Sequence, residues 1–277
     1  MDREEENNLW RTRYDLGKSS VDFCERNFSL TPWVAEPFNA ASAAPLIGLG
    51  LVGYARCRRA TKSRGFAVLF ALLVLVGIGT VALHGTLTSA GQAADEVPML
   101  VLTVGLLATI VDVERPRAKG LVTSTCLAAV GLIVWYFRFQ HLYLVFLASY
   151  GTLVVAIIGL LARLAFVPRS DPARDRVRRQ VIKPLFLYGL ASYVCAGFVA
   201  WCTDMLLCET VSQLFLGGLV LHPLWHLGSG LGSWCAIYAV IAARDERRGQ
   251  AATRLTWLAG LLPCVDHDEL RHHPSDD

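Results

Sequence analysis

Long apolar runs alternate with short polar connections along the whole chain. A helix crossing the ~30 Å hydrocarbon core of a bilayer needs about 20 mostly apolar residues. Seven segments reach that length to within a turn: 35–55, 65–86, 96–112, 121–137, 142–162, 184–206 and 213–243. Uncharged runs of this kind are rare in soluble cores, so the pattern predicts an all-α integral membrane protein, a bundle of seven transmembrane helices. The seventh segment would extend about 46 Å at 1.5 Å per residue, more than a bilayer needs, and is expected to tilt or protrude. Within it Pro223 lacks a backbone donor and predicts a local kink. Gly217, Gly218, Gly228, Gly230 and Gly232 share that helix and permit close approach of a neighbour. No internal repeat or low-complexity tract stands out. The chain divides into a polar N-terminal segment (1–34), a seven-helix membrane domain (35–243) and a tail (244–277).

Composition agrees with the membrane assignment: 54% of the 277 residues are hydrophobic, above the ~45–50% usual in soluble domains. The net charge of +3 is too small for a nucleic-acid-binding protein, and no basic stretch interleaved with aromatics offers a base-stacking surface. The first 33 residues lack the short apolar core of a cleavable signal, so insertion is expected to fall to an internal segment. Charge then sets orientation. The first loop carries Arg56, Arg58, Arg59, Lys62 and Arg64, the third Arg115, Arg117 and Lys119, and the fifth Arg169, Arg174, Arg176, Arg178, Arg179 and Lys183. The tail has Arg244, Arg247, Arg248 and Arg254, whereas 87–95 and 207–212 have no Lys or Arg and the fourth loop has only Arg138. Because cytoplasmic loops concentrate Lys and Arg, the N-terminus is expected on the lumenal or extracellular side and the C-terminus in the cytosol.

Ionisable side chains inside spans are costly and mark cavities or partners. Here they are few: His84 near the outer end of the second segment, Asp95 at the outer start of the third, and His222 with His226 on the seventh. The i, i+4 spacing of the last pair puts both on one helix face. Three histidines with a water make a tetrahedral zinc site with one open position, which brings the water's pKa toward ~7. The other reading is three helix-to-helix hydrogen-bonding groups, and spacing alone does not bring them together. Asp95 suits a general base and acid, or simply a carboxylate at a helix N-terminus. Thr80, four residues before His84, suits a donor to a developing oxyanion, or a hydroxyl bonded to its own helix, which without further context is the plainer reading. Ahead of the first span, Asp22, Glu25, Asn27 and Glu36 are hard oxygen donors that suit Ca²⁺, although the spacing is not that of an EF-hand and a solvated acidic segment has the same composition. Cys24 and Cys208 both fall on the expected oxidising side, either as a disulfide or as two free thiols.

Taken in order, "VDFCERNF" with "VAEPFN", "TVALHGTL" with "QAADEVPM", "DMLLCE" and "LHPLWHLGSGLGS" resemble the alkaline ceramidase family, integral membrane amidases of a wider seven-helix superfamily. The blocks run from near the N-terminus to the seventh span and leave out the final thirty or so residues. The resemblance implies a zinc site of His84, His222 and His226, with Asp95 and Thr80 beside the metal-bound water. It also implies a calcium site from Asp22, Glu25, Asn27, Glu36 and the backbone carbonyl of Phe23, and a Cys24–Cys208 disulfide. Where the family carries serine and tryptophan, this chain has Thr80 and Phe23; the first keeps a hydroxyl and the second is expected to give only its carbonyl. The connection from Cys208 to His222 is short for the loop over such a site. The implied reaction is hydrolysis of ceramide to sphingosine and a free fatty acid; the lumenal N-terminus fits an endoplasmic reticulum or Golgi membrane as well as the plasma membrane.

A receptor of the progestin and adipoQ type shares the three-histidine core and is the alternative. The "DFCERNF" block and the outward N-terminus argue against it. A retinal protein needs a lysine in its last span, and 213–243 contain none; a transporter is expected to show related broken halves, which are absent.

Overall fold

The computed structural model describes residues 17–60, 64–115, 120–214, 221–249 and 253–267. Residues 1–16 of the N-terminal segment, 215–220 of the seventh segment and 268–277 of the tail lie outside the described residues. Among the described residues, seven helices are long and apolar enough to cross a membrane: Pro37–Arg59, Gly65–Thr86, Ser89–Glu114, Leu121–Phe139, Tyr143–Phe166, Pro172–Val211 and Leu221–Arg247. The chain is thus a multi-pass, seven-helix membrane protein. The seventh span is the axis of the bundle, with 67% of its window buried against 6% in the fourth, and its Trp234 and Tyr238 rings meet Phe70 of the second span at 5.6 and 5.5 Å.

Two spans have boundaries that differ clearly from the sequence expectation. The third helix begins at Ser89, two turns ahead of its apolar run, because the Thr88 hydroxyl caps it by accepting from the Gly91 N–H at 3.0 Å. Its polar first turns, including Gln92, Asp95 and Glu96, are buried, so Asp95 lies inside the helix rather than at its start. The sixth segment is longer than expected, 40 residues, and passes through π-helical stretches at Arg178–Ile182 and Ser192–Phe198. The seventh helix is described from Leu221 and runs uninterrupted to Arg247. Through Pro223, the expected site of a kink, the helix is continuous.

Glycines decide two close approaches. At Gly79 any Cβ would overlap the Ala94 carbonyl, so the second and third spans touch backbone to backbone there. At Gly228 a Cβ would stand 2.6 Å from the Ser192 carbonyl and 2.7 Å from Gly197 Cα, so the seventh span seats against the π-helical part of the sixth.

The N-terminal segment is a strap across one end of the bundle. Ser19 N–H donates to Leu87 O at 2.9 Å and Ser89 N–H to Gly17 O at 3.0 Å; farther along, Ala35 and Glu36 N–H donate to Gly85 O and His84 O at 3.0 and 2.9 Å. A disulfide joins Cys24 to Cys208. At the other end, residues expected as tail form an antiparallel hairpin, β1 (Thr253–Leu258) and β2 (Leu262–His267). It is tied to the bundle by Trp234 Nε1–H donating to Pro263 O at 2.7 Å, by an Arg56–Asp266 ion pair at 2.5 Å, and by burial of Cys264 and Val265.

Candidate metal centre

His84 occupies the last turn of the second span, and His222 and His226 lie about one turn apart on the seventh. All three side chains are buried, and one ring nitrogen from each lies within 4.8 Å of the other two. Ring centroids are 4.7–5.0 Å apart. Among the described residues this is the one group of histidine, cysteine or carboxylate side chains gathered closely enough to hold a metal ion.

Each imidazole has an oxygen near Nδ1. Glu36 Oε2 makes a short contact with His84 Nδ1, Ser42 Oγ lies 2.6 Å from His226 Nδ1, and Asp204 Oδ2 lies 3.8 Å from His222 Nδ1. The buried His84 Nε2 has no hydrogen-bond partner. An unsatisfied buried imidazole nitrogen is costly, and open ring nitrogens in a cluster of three buried imidazoles are what a metal-binding donor set requires. The residues present therefore fit a metal ion.

Asp95 and Thr80 stand beside the histidines. The Thr80 hydroxyl lies 2.8 Å from Asp95 Oδ1 and 3.0 Å from Val76 O, so the bond to its own helix and the bond toward the site compete for one proton. The Gly79–Ala94 approach, one residue away on each helix, makes the cross-helix bond possible. Both residues line a cavity of about 410 Å³, together with His222, His226, Phe23, Glu96 and an apolar wall that includes Tyr143, Phe146, Tyr150, Tyr193, Phe198, Trp201 and Trp225.

The acidic strap residues come together less completely. The Glu25 carboxylate accepts the N–H groups of Phe38 and Asn39, both at 2.8 Å, and so caps the short helix Pro37–Ala41. Asn27 Nδ2 donates to Asp22 Oδ1 at 3.2 Å. Glu36 reaches both ways, to His84 and, through Oε1, to the Phe23 N–H at 3.3 Å. Burial pushes the Glu36 carboxyl up to about 8, opposed by the Asn39 side-chain hydrogen bond and reinforced by Asp22. Burial likewise raises Glu25, against the Phe38 and Asn39 amides, with Glu36 adding a smaller upward push. Asp22, Phe23, Glu25 and Asn27 border one surface cavity.

Phe23 corrects its expected role. Its ring packs on His222 and His84, with centroids 3.9 and 5.0 Å apart, so it roofs the histidine cluster besides offering a carbonyl. Sequence reasoning missed Ser42, Glu96 and Asp204. The signal for the last two was present, since an uncompensated carboxylate within an apolar run rarely lacks a role.

The family model for ceramidases matches residues 16–266, which extends the likeness through the hairpin, beyond the motif blocks. Alkaline ceramidase of Arabidopsis thaliana is 24% identical over 249 residues, covering 89% of this chain and 92% of that one. Alkaline ceramidase 3 of Mus musculus is 23% identical, covering 92% and 94%. Alkaline ceramidase of Caenorhabditis elegans is 27% identical, covering 82% and 80%.

Proposed function

Because the chain belongs to the ceramidase family, we propose that it hydrolyses the amide bond of ceramide, releasing sphingosine and a free fatty acid, with zinc held by His84, His222 and His226. The observation that carries this is the convergence of three buried histidines, two of which line an apolar cavity that also exposes a carboxylate and a hydroxyl. Nitrogen-only donors suit zinc rather than calcium. Zinc would supply Lewis acidity there, polarising a carbonyl and making water acidic enough to ionise near pH 7.

The chain's own residues divide the remaining work. Asp95 takes a proton from the attacking water and returns it to the departing amine nitrogen, so that water is added across the C–N bond and both products leave neutral in proton count. Thr80, positioned by the Gly79 approach, turns its one hydroxyl proton from Asp95 Oδ1 to the carbonyl oxygen as charge develops. The aromatic and aliphatic wall receives the two hydrocarbon chains and keeps bulk water from the amide. Lipids of the surrounding bilayer deliver the substrate, and the charge bias fits an endoplasmic reticulum or Golgi membrane as well as the plasma membrane.

The second metal in the proposal is calcium, on Asp22, Glu25, Asn27, Glu36 and the Phe23 carbonyl. Its support is an all-oxygen donor set in which carboxylates crowd one another, Asp22 pushing Glu36 up and Glu36 pushing Glu25 up. Such a site would brace the strap that carries Glu36 to His84.

The test measures metal content and ceramide hydrolysis of wild type and His222→Ala in detergent. About one zinc per chain with activity, both lost in the variant, is expected. Zinc without hydrolysis of any ceramide would turn the reading toward a receptor-like role. A folded wild type without zinc would return the histidines to helix packing.

A further inference from the structure

We propose that Ser42 is a positioning residue of the metal centre, its hydroxyl accepting from His226 Nδ1–H and so fixing the tautomer that leaves Nε2 free to bind metal. The inference rests on the zinc reading above and adds to it a residue outside the ligand set.

Proton counting carries the argument. Ser42 Oγ lies 2.7 Å from the Asn39 carbonyl oxygen and 2.6 Å from His226 Nδ1. A serine hydroxyl has one proton, and a carbonyl oxygen only accepts. At 2.7 Å the proton must lie between Oγ and Asn39 O, since otherwise two lone pairs would face each other. What remains for His226 is an oxygen lone pair, so Nδ1 carries the hydrogen. A neutral imidazole has one N–H, which leaves the lone pair on Nε2, the form a metal ligand needs.

The hydroxyl is itself held in place. Ser42 ends the helix Pro37–Ala41, its N–H donating to Phe38 O at 3.0 Å. That helix is anchored at its start by Glu25 on the Phe38 and Asn39 amides. The other two imidazoles face carboxylates, and Asp204 stands at 3.8 Å from His222, beyond hydrogen-bond reach. Ser42 is thus a neutral partner whose own bond dictates a tautomer. Partners of this kind are worth roughly 10–100-fold in metal affinity.

The experiment measures Zn²⁺ affinity of the full-length protein in detergent by competition with a chromophoric chelator, for wild type, Ser42→Ala, Ser42→Cys and Ser42→Thr. Melting of each metal-stripped form is recorded alongside. We expect Ser42→Ala to weaken Zn²⁺ binding about 10–100-fold, Ser42→Cys to fall between, and Ser42→Thr to bind as wild type does, with similar melting throughout. Wild-type affinity in Ser42→Ala, or an equal loss in Ser42→Thr, would overturn the proposal while leaving the zinc reading standing. A folded wild type that binds no Zn²⁺ would overturn both. If Ser42→Ala does not fold, the Cys and Thr variants decide by the same comparison.

Discussion

At Gly79 a methyl group has no room. The alanine Cβ would overlap the Ala94 carbonyl and stand 2.6 Å from Asp95 Cα, against an ordinary carbon–carbon contact of about 3.5–4.0 Å. Backbone atoms cannot swing aside as a side chain does, so the second and third spans must part by about 1 Å to restore that contact. The same displacement takes the Thr80–Asp95 bond from 2.8 Å past the limit at which a hydroxyl donates usefully. A misplacement of about 1 Å costs roughly 100-fold in rate, or about 2.7 kcal/mol of barrier. We therefore expect Gly79→Ala to lower kcat/KM for ceramide about 100-fold. It should retain its zinc, because the three histidines sit on the second and seventh spans. Overpacking of this kind also costs about 1–3 kcal/mol of stability, so melting is measured in parallel. Gly48→Ala is the control, since nothing lies within 4 Å of a Cβ there. Hydrolysis by Gly79→Ala at the wild-type rate, in a folded zinc-loaded sample, would refute the claim that this approach sets the Thr80–Asp95 geometry.

Three further outcomes follow from the strap and the hairpin. Breaking the Cys24–Cys208 bridge with Cys24→Ser should destabilise the protein by about 2–5 kcal/mol; unchanged melting with and without reductant would show that the strap is held by its other contacts. Removing calcium with a chelator selective over zinc should lower the melting temperature, since a ligand at 100 times its Kd adds about 2.7 kcal/mol, and Asp22→Asn should blunt that response. Trp234→Phe leaves the Pro263 carbonyl without its donor and should cost about 1–3 kcal/mol, read as lower melting and faster proteolysis within 253–267.

The spans were legible in the sequence because a bilayer demands length and apolarity, and runs such as 65–86 supply both. Their ends were less so. The stretch Ser89–Glu96 is polar and lacks Lys and Arg, which looks like a loop, but its polar groups turn inward to the cavity and the Thr88 cap starts the helix early. The histidines, Asp95 and the cysteine pair were legible as residue types, and the family motifs supplied their grouping. Only folding shows that one nitrogen from each histidine falls within 4.8 Å of the others. Ser42 was not legible, because a serine after a short helix carries no mark of what lies across from it. The hairpin left a trace in the alternation of "TRLTWL" before Ala259 and Gly260, the signature of a strand and a turn, though strong charge nearby suggests a tail.

The strap and its bridge have a consequence for how the protein is made. Cys24 and Cys208 are 184 residues apart, and at roughly 5–20 residues per second the ribosome needs about 10–40 s to travel between them. His84 and its partner Glu36 are therefore synthesised well before His222 and His226 exist. Until the seventh helix inserts, the nascent chain has only one of the three clustered imidazoles, and until residue 208 is made Cys24 lacks its disulfide partner. Metal capture thus awaits the last helix, and oxidation of Cys24 awaits the end of the sixth. A chain truncated before residue 208 would carry most of its hydrophobic mass and none of its completed centre.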